Sequence, residues 1–244
     1  EIISSSGINF DLDKNNKILK IKQTNSDDWI LLKDLKFNEW DIYFEGIKSE
    51  SNDKKIKGQR FNKYGITGCL NFLNTNFFGS SINMNKGECE DSINIINSKG
   101  EIDSIFVKDS FQDAIDLDFS KLKIKKLIVN TAGNDCFDVS GGKYILETSL
   151  LKNCGDKGLS IGESSEFMSN NVFVDSSLIG ISVKDFSIAN LVDLKITKND
   201  ICIESKQKKQ EFGGGYVFIK SLKCEKPFNN IDKHSIIEID NYEL

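Results

Sequence analysis

The feature that most constrains this chain is a 22-residue repeat that runs without a break through its central half. Short segments begin at Asp91, Asp113, Asp135, Lys157, Ile179 and Ile201, six copies at one unchanged spacing. Read as columns, Ile93, Ile115, Phe137, Leu159, Ile181 and Ile203 share one position. Two residues on stand Ile95, Leu117, Val139, Ile161 and Val183, with Ser205 closing the column. Alternate residues of a strand point to opposite faces, so these two columns must face inward. Between them lie Asn94, Asp116, Asp138, Ser160, Ser182 and Glu204, polar throughout and therefore expected to face outward. Ahead of them runs a column of small residues, Ser92, Ala114, Cys136, Gly158, Gly180 and Cys202. A single unit cannot bury its own apolar face, but stacked units bury a continuous core.

A second apolar register recurs later in each copy. Phe106, Ile128, Leu150, Val172 and Leu194 are expected inward, as are Ile102, Ile124, Leu146 and Met168. Period-2 alternation argues against helical repeats. Ile, Val and Phe stand where a leucine-rich repeat would need Leu, and the hexapeptide rhythm of a left-handed β-helix is absent. Twenty-two residues suit a coil of three short strands at about 3.3 Å per residue. The expected fold is therefore all-β: a right-handed parallel β-helix, a solenoid of about 22 residues per coil. It is read as one domain over 1–244. Residues 1–64 would form irregular N-terminal coils with an exposed polar loop at 49–63, 65–225 the regular coils, and 226–244 the C-terminal end.

Composition agrees with many strands joined by tight turns: Asn, Asp, Gly and Ser abound, with a single Pro and a single His. The net charge of −5, with basic clusters short and flanked by acids, argues against a dedicated nucleic-acid binder. No apolar run reaches the roughly 18 residues of a membrane span. The chain begins at Glu1 without a signal-like segment, which reads as a mature chain or a piece of a longer one, with further domains or like copies as potential partners. Of six cysteines, Cys69 and Cys89 are one near-repeat apart and positioned to stack or bridge. Cys136, Cys154, Cys202 and Cys224 look scattered, and none forms the paired spacing of a zinc site.

The runs Asp113–Ser120 (DAIDLDFS), 133–141 (GNDCFDVSG), 155–163 (GDKGLSIGE), 180–187 (GISVKDFS) and 207–213 (QKKQEFG) carry a resemblance. Over roughly 65–225 the chain resembles the pectin-lyase-like superfamily, and within it the bacterial right-handed β-helix repeat domains. That resemblance implies a secreted or cell-surface protein. It is unspecific for activity, since the superfamily includes polysaccharide lyases, hydrolases, epimerases, adhesins and structural proteins. The Asn-Thr-Asp, Asp-Asp and Gly-His-Gly motifs of its galacturonan hydrolases are absent. The only Arg, Arg60, stands before the repeats, unlike the arginine base of the calcium pectate lyases.

The chemistry-bearing feature is an acidic ladder. Asp116, Asp118 and Asp138 fall on the outer face of successive coils, and stacked strands lie about 4.8 Å apart. Like charges so close favour a protonated carboxyl or a bound cation. Asp116, Asp118, Asp138 and Lys157 are thus the candidate catalytic groups, and Asp116, Asp118 and Asp138 a candidate calcium set. Asp113, Asp135, Asp156 and Glu163 are candidate substrate-binding residues beside them, with the small-residue column leaving room for a sugar chain. The opposing reading makes Asp91, Asp113, Asp135 and Asp156 turn-capping residues and Lys157 their counter-ion. Two functions follow. The first is a β-helix that binds and processes a polysaccharide as a lyase, hydrolase or epimerase. The second is a structural or adhesive solenoid module without catalysis.

Overall fold

The computed structural model describes residues 1–48, 62, 64–226 and 232–243. Those residues contain nineteen strands and no helix, joined as one continuous sheet. The sheet winds into a parallel β-solenoid of about nine turns. The exposed loop expected at 49–63 lies outside the described residues except for Asn62 and so is not seen.

The first register is as the sequence pattern requires. Asp113–Asp118 pairs in parallel with Asp91–Ile96 and with Phe137–Ser140, aligning Ile115 with Ile93 and Asp116 with Asp138. Phe137, Leu159, Ile181 and Ile203 continue one column through the coils below. Every member of both inward apolar columns, Ser205 included, is fully buried. Burying each Ile, Val or Phe contributes about 1.5–3 kcal/mol, so these columns are a main source of stability.

The second register differs from expectation by one residue. Ile105, Leu127 and Ser149 face inward, while Phe106 is 37% exposed and Ile128 and Leu150 are only partly buried. Val172 and Leu194 are buried as expected, because the column steps 23 residues from Ser149 to Val172 instead of 22. The extra residue lies in the turn at Glu163–Ser164–Ser165, where the preceding coil has only Gly141–Gly142. The same insertion leaves Ile102, Ile124 and Leu146 buried but turns Met168 outward, with Ser169 in the core position.

The small-residue column also points inward, which overturns the idea that it leaves room for a sugar. A methyl group at Gly158 would lie 2.5 Å from the Val174 side chain, and one at Gly180 2.6 Å from that of Ile196. At the same corner one coil on, Cys202 bonds to Cys224, the residue in register with Ile196. The four cysteines that looked scattered are therefore paired, as Cys136–Cys154 and Cys202–Cys224, and Cys69–Cys89 also forms. Gly180→Ala is expected to cost about 1–3 kcal/mol by overpacking this corner, read as a lowered urea midpoint. An unchanged midpoint would return the column to a surface role.

Both ends are resolved in outline. Ile8–Asp13 folds back antiparallel on Ile18–Gln23, which stacks in parallel on Asp41–Glu45, while Ile2–Ser4 runs antiparallel to Ile30–Lys33. Antiparallel additions of this kind cover the first sheet edge. At the far end Ile236–Glu243 stacks in parallel on Tyr216–Cys224.

Candidate functional site

Asn94, Asp116 and Asp138 line a cleft of about 310 Å³. The rest of their column, Ser160, Ser182 and Glu204, expected to face outward, is buried and lies outside the cleft lining. Beside it, two residues on, runs the column of Asp118, Ser140, Gly162 and Lys184. The strands hold both columns in place because their inward neighbours, Ile115, Leu117, Phe137, Val139 and Val183, are locked in the core. A third wall is the turn bearing Lys208 and Lys209. Its backbone is fixed from below: the buried Asp185 carboxylate accepts the amides of Lys208 at 2.7 Å and Lys209 at 2.9 Å.

Four of the expected site residues line this cleft: Asp116, Asp118, Asp138 and Glu163. Burial, with the charges of Asp91, Asp118 and Asp138 adding to it, raises the Asp116 carboxyl well above its ordinary value, so it favours the protonated form. Asn94 donates its side-chain amide to Asp118 at 3.3 Å. Glu163 at the rim is ion-paired to Lys209.

Asp113, Asp135, Asp156 and Lys157 do not line the cleft. They form a ladder of their own where the coils turn into the strands. Asp113 Oδ1 accepts the Asp135 backbone amide at 2.8 Å and the Asn134 side chain at 2.7 Å. Asp135 Oδ1 accepts the Lys157 amide at 3.0 Å and faces its ammonium at 3.4 Å. Asp156 closes on the same ammonium. Burial opposes the Lys157 charge, but Asp135 and Asp156 outweigh it and hold its pKa above the usual lysine value. Such a lysine is a counter-ion rather than a base, and the geometry of Asp113 and Asp135 is that of carboxylates capping the next coil's backbone.

Three lysines line the cleft, Lys184, Lys208 and Lys209, none of which the sequence pattern marks as a site residue. Lys184 is buried and donates to Ser160 Oγ at 2.7 Å. The nearby Lys184 charge, followed by burial, lowers the Lys208 pKa. Following the Asp118 column down by the repeat would have reached Lys184, whereas Lys208 sits in an irregular turn that periodicity does not place. Carboxyls are the only charged groups among the described residues on the upper coils of the cleft, while the lower coils bring Lys184, Lys208 and Lys209 together with Glu163 and Asp185. Among the described residues no three acidic, histidine or cysteine side chains converge into a metal cage, so no calcium-dependent step is assigned to Asp116, Asp118 and Asp138.

The fold and cleft define the class: a disulfide-bonded parallel β-solenoid with a recessed acid–lysine site on its outer face. No family model matches the chain, and no curated protein and no solved structure matches it either. Three disulfides point to an oxidising, extracytoplasmic environment. No helix among the described residues is long and apolar enough to cross a membrane.

Proposed function

We propose that this chain is a secreted or cell-surface solenoid of the right-handed, pectin-lyase-like kind that binds and processes a polysaccharide in the Asp116–Asp138 cleft. The observation that carries the reading is a pair in register on adjacent coils: the Asp116 carboxyl, which burial and neighbouring charges hold toward its protonated form, and the carboxyl of Asp138 beside it. Adjacent rungs are about 4.8 Å apart, close to the roughly 5 Å carboxyl separation of retaining glycosidases. In that chemistry Asp116 gives its proton to the glycosidic oxygen as the C–O bond breaks, and the Asp138 carboxylate attacks the anomeric carbon. Water then displaces Asp138 and passes its proton back to Asp116. Lys184 and Lys208 at the other end favour a sugar that carries an anionic group.

The test is a panel of neutral and acidic polysaccharides, with and without calcium, followed by new reducing ends and by the ultraviolet signal of unsaturated products. Asp116→Asn is expected to lower turnover about 10²–10⁴-fold, the usual range for a lost general acid, with binding retained. Turnover that survives both Asp116→Asn and Asp138→Asn would remove the site from the ladder. Neither binding nor turnover across the panel would favour the structural or adhesive solenoid.

A further inference from the structure

At the corner that follows each cleft-bearing strand, one residue per coil takes a left-handed backbone. The column runs Asp34, Asn74, Asn97, Phe119, Gly141, Glu163 and Asp185, with φ between 46° and 63° throughout. Asn, Asp and Gly tolerate that conformation, and a bulky side chain is strained in it. The upper members join in a side-chain ladder: Asn74 donates to Asp34 at 3.0 Å and Asn97 to Asn74 at 2.7 Å. Phe119 stands next in the column. It is 62% exposed, the most exposed large hydrophobic side chain among the described residues.

Three coils on, Phe186 repeats the pattern. It follows Asp185, has φ 61° and is exposed. Phe119 and Phe186 are the only aromatics among the left-handed residues described. Each directly follows a carboxylate residue that lines the cleft, Asp118 or Asp185. Each ring also rests on a glycine. A methyl group at Gly141 would lie 2.6 Å from the Phe119 ring, and one at Gly213 would collide with that of Phe186. Phe212 meets Phe186 edge-on, with ring centroids 6.1 Å apart. Rings propped in this way have little freedom left to lose on binding.

Folding gains nothing from either position, because the backbone disfavours Phe there and water disfavours its ring. What the two residues provide is a fixed aromatic surface at the border of a cleft lined by carboxyls and ammonium groups. A pyranose matches that combination: its C–H bonds lie against the electron-rich face of an aromatic ring while its hydroxyls reach the polar groups. We propose that Phe119 and Phe186 are sugar-stacking residues at the two ends of the cleft, which lay a polysaccharide along the solenoid axis. The rings stand three rungs apart, about 14 Å, and one rung is close to the length of one pyranose unit, so a chain of about four units touches both. The assignment rests on the polysaccharide reading of the Asp116–Asp138 cleft and adds the residues that select chain length.

The test is affinity electrophoresis of the intact disulfide-bonded chain in gels carrying homogalacturonan, alginate, hyaluronan or hydroxyethylcellulose, paired with thermal melting. Phe119→Asn and Phe186→Asn put at each corner a residue that the left-handed backbone favours, so both variants are expected to melt no lower than wild type. Each is nevertheless expected to bind the retarding polymer about tenfold more weakly. Fragments of that polymer about six units long should compete at least tenfold better than fragments of about two, since only the longer ones span both rings. Retardation unchanged in both variants would overturn the assignment and leave the cleft reading standing. A loss of binding matched by a fall in melting temperature would make the rings structural and overturn it as well. No retardation in any gel would remove the cleft reading and this assignment together. Turnover that survives Asp116→Asn and Asp138→Asn, with binding still sensitive to both rings, would move the chemistry elsewhere while the stacking residues stand.

Discussion

Breaking the disulfides is expected to cause the largest loss of stability open to this chain without altering its core. Each bridge closes a short loop within about one coil, with sequence separations of 20, 18 and 22 residues. Loops of that size are worth about 3 kcal/mol each in the chain-entropy account, and three together are comparable with the roughly 5–15 kcal/mol that holds an ordinary domain folded. The middle bridge offers a clean measurement, because the coil above it already shows what the corner looks like without one. Ala114 and Ala132 stand there at the positions of Cys136 and Cys154. Both alanines are buried, so Cys136→Ala/Cys154→Ala copies a native solution and removes only the cross-link. Urea unfolding should show a loss of about 2–4 kcal/mol in that variant, and a larger one for wild type under reductant. A loss under 1 kcal/mol in the double variant would mean that the stacked coils already restrict the unfolded chain.

The repeat made the fold legible because six copies of one pattern constrain a coil far more tightly than one copy does. Ile93 to Ile203 fell on the inward face that period-2 alternation assigns them, whereas in the polar column Asn94, Ser160, Ser182 and Glu204 are buried and only Asp116 and Asp138 are partly exposed. The errors arose where periodicity was carried past a turn. One residue inserted near Ser164 sends Met168 outward and puts Ser169 in the core, and no column count that fixes the spacing at 22 detects it. Small residues are ambiguous for a related reason. Gly158 and Gly180 look like clearance for a ligand, but Val174 and Ile196 fill that space from the other side of the coil, a contact between residues 16 positions apart. The acidic ladder, one feature in the sequence, is two structures in space. Asp113 and Asp135 turn to the next coil's backbone while Asp116 and Asp138 open to the cleft, a division set by the bend at the start of each strand.

That division makes stability depend on pH in an unusual direction, and the last prediction rests on it. Burial, reinforced by the Asp135 charge, moves the Asp113 carboxyl from 3.8 up to about 7 in the folded protein. Burial also raises Asp135, against the pull of Lys157, and it raises Asp116 with four neighbouring carboxylates on its side. A raised carboxyl keeps its proton in the folded state after the unfolded chain has lost it. The folded state then binds more protons, so stability falls as pH rises. The Asp113 contribution is fully present below the unfolded value of 3.8 and is lost as pH climbs through about 7. Asp28 has the opposite sign: hydrogen bonds from Ser5 and Asn25 outweigh burial and lower its pKa, so its contribution disappears in acid. Unfolding free energy should therefore peak in mildly acidic solution, with Asp113 alone contributing a drop of about 3 kcal/mol between about pH 5 and 8 and Asp116 and Asp135 acting in the same direction. Asp113→Asn keeps an oxygen acceptor for the Asp135 amide while discarding the charge, so it should flatten that slope and leave the variant more stable than wild type at about pH 8. Urea titrations at a series of pH values decide the matter. A wild-type curve that is flat or rising across this range would show that the buried carboxyls are compensated by charges beyond the ladder, and an Asp113→Asn variant that keeps the whole slope would move its origin from Asp113 to Asp116 and Asp135.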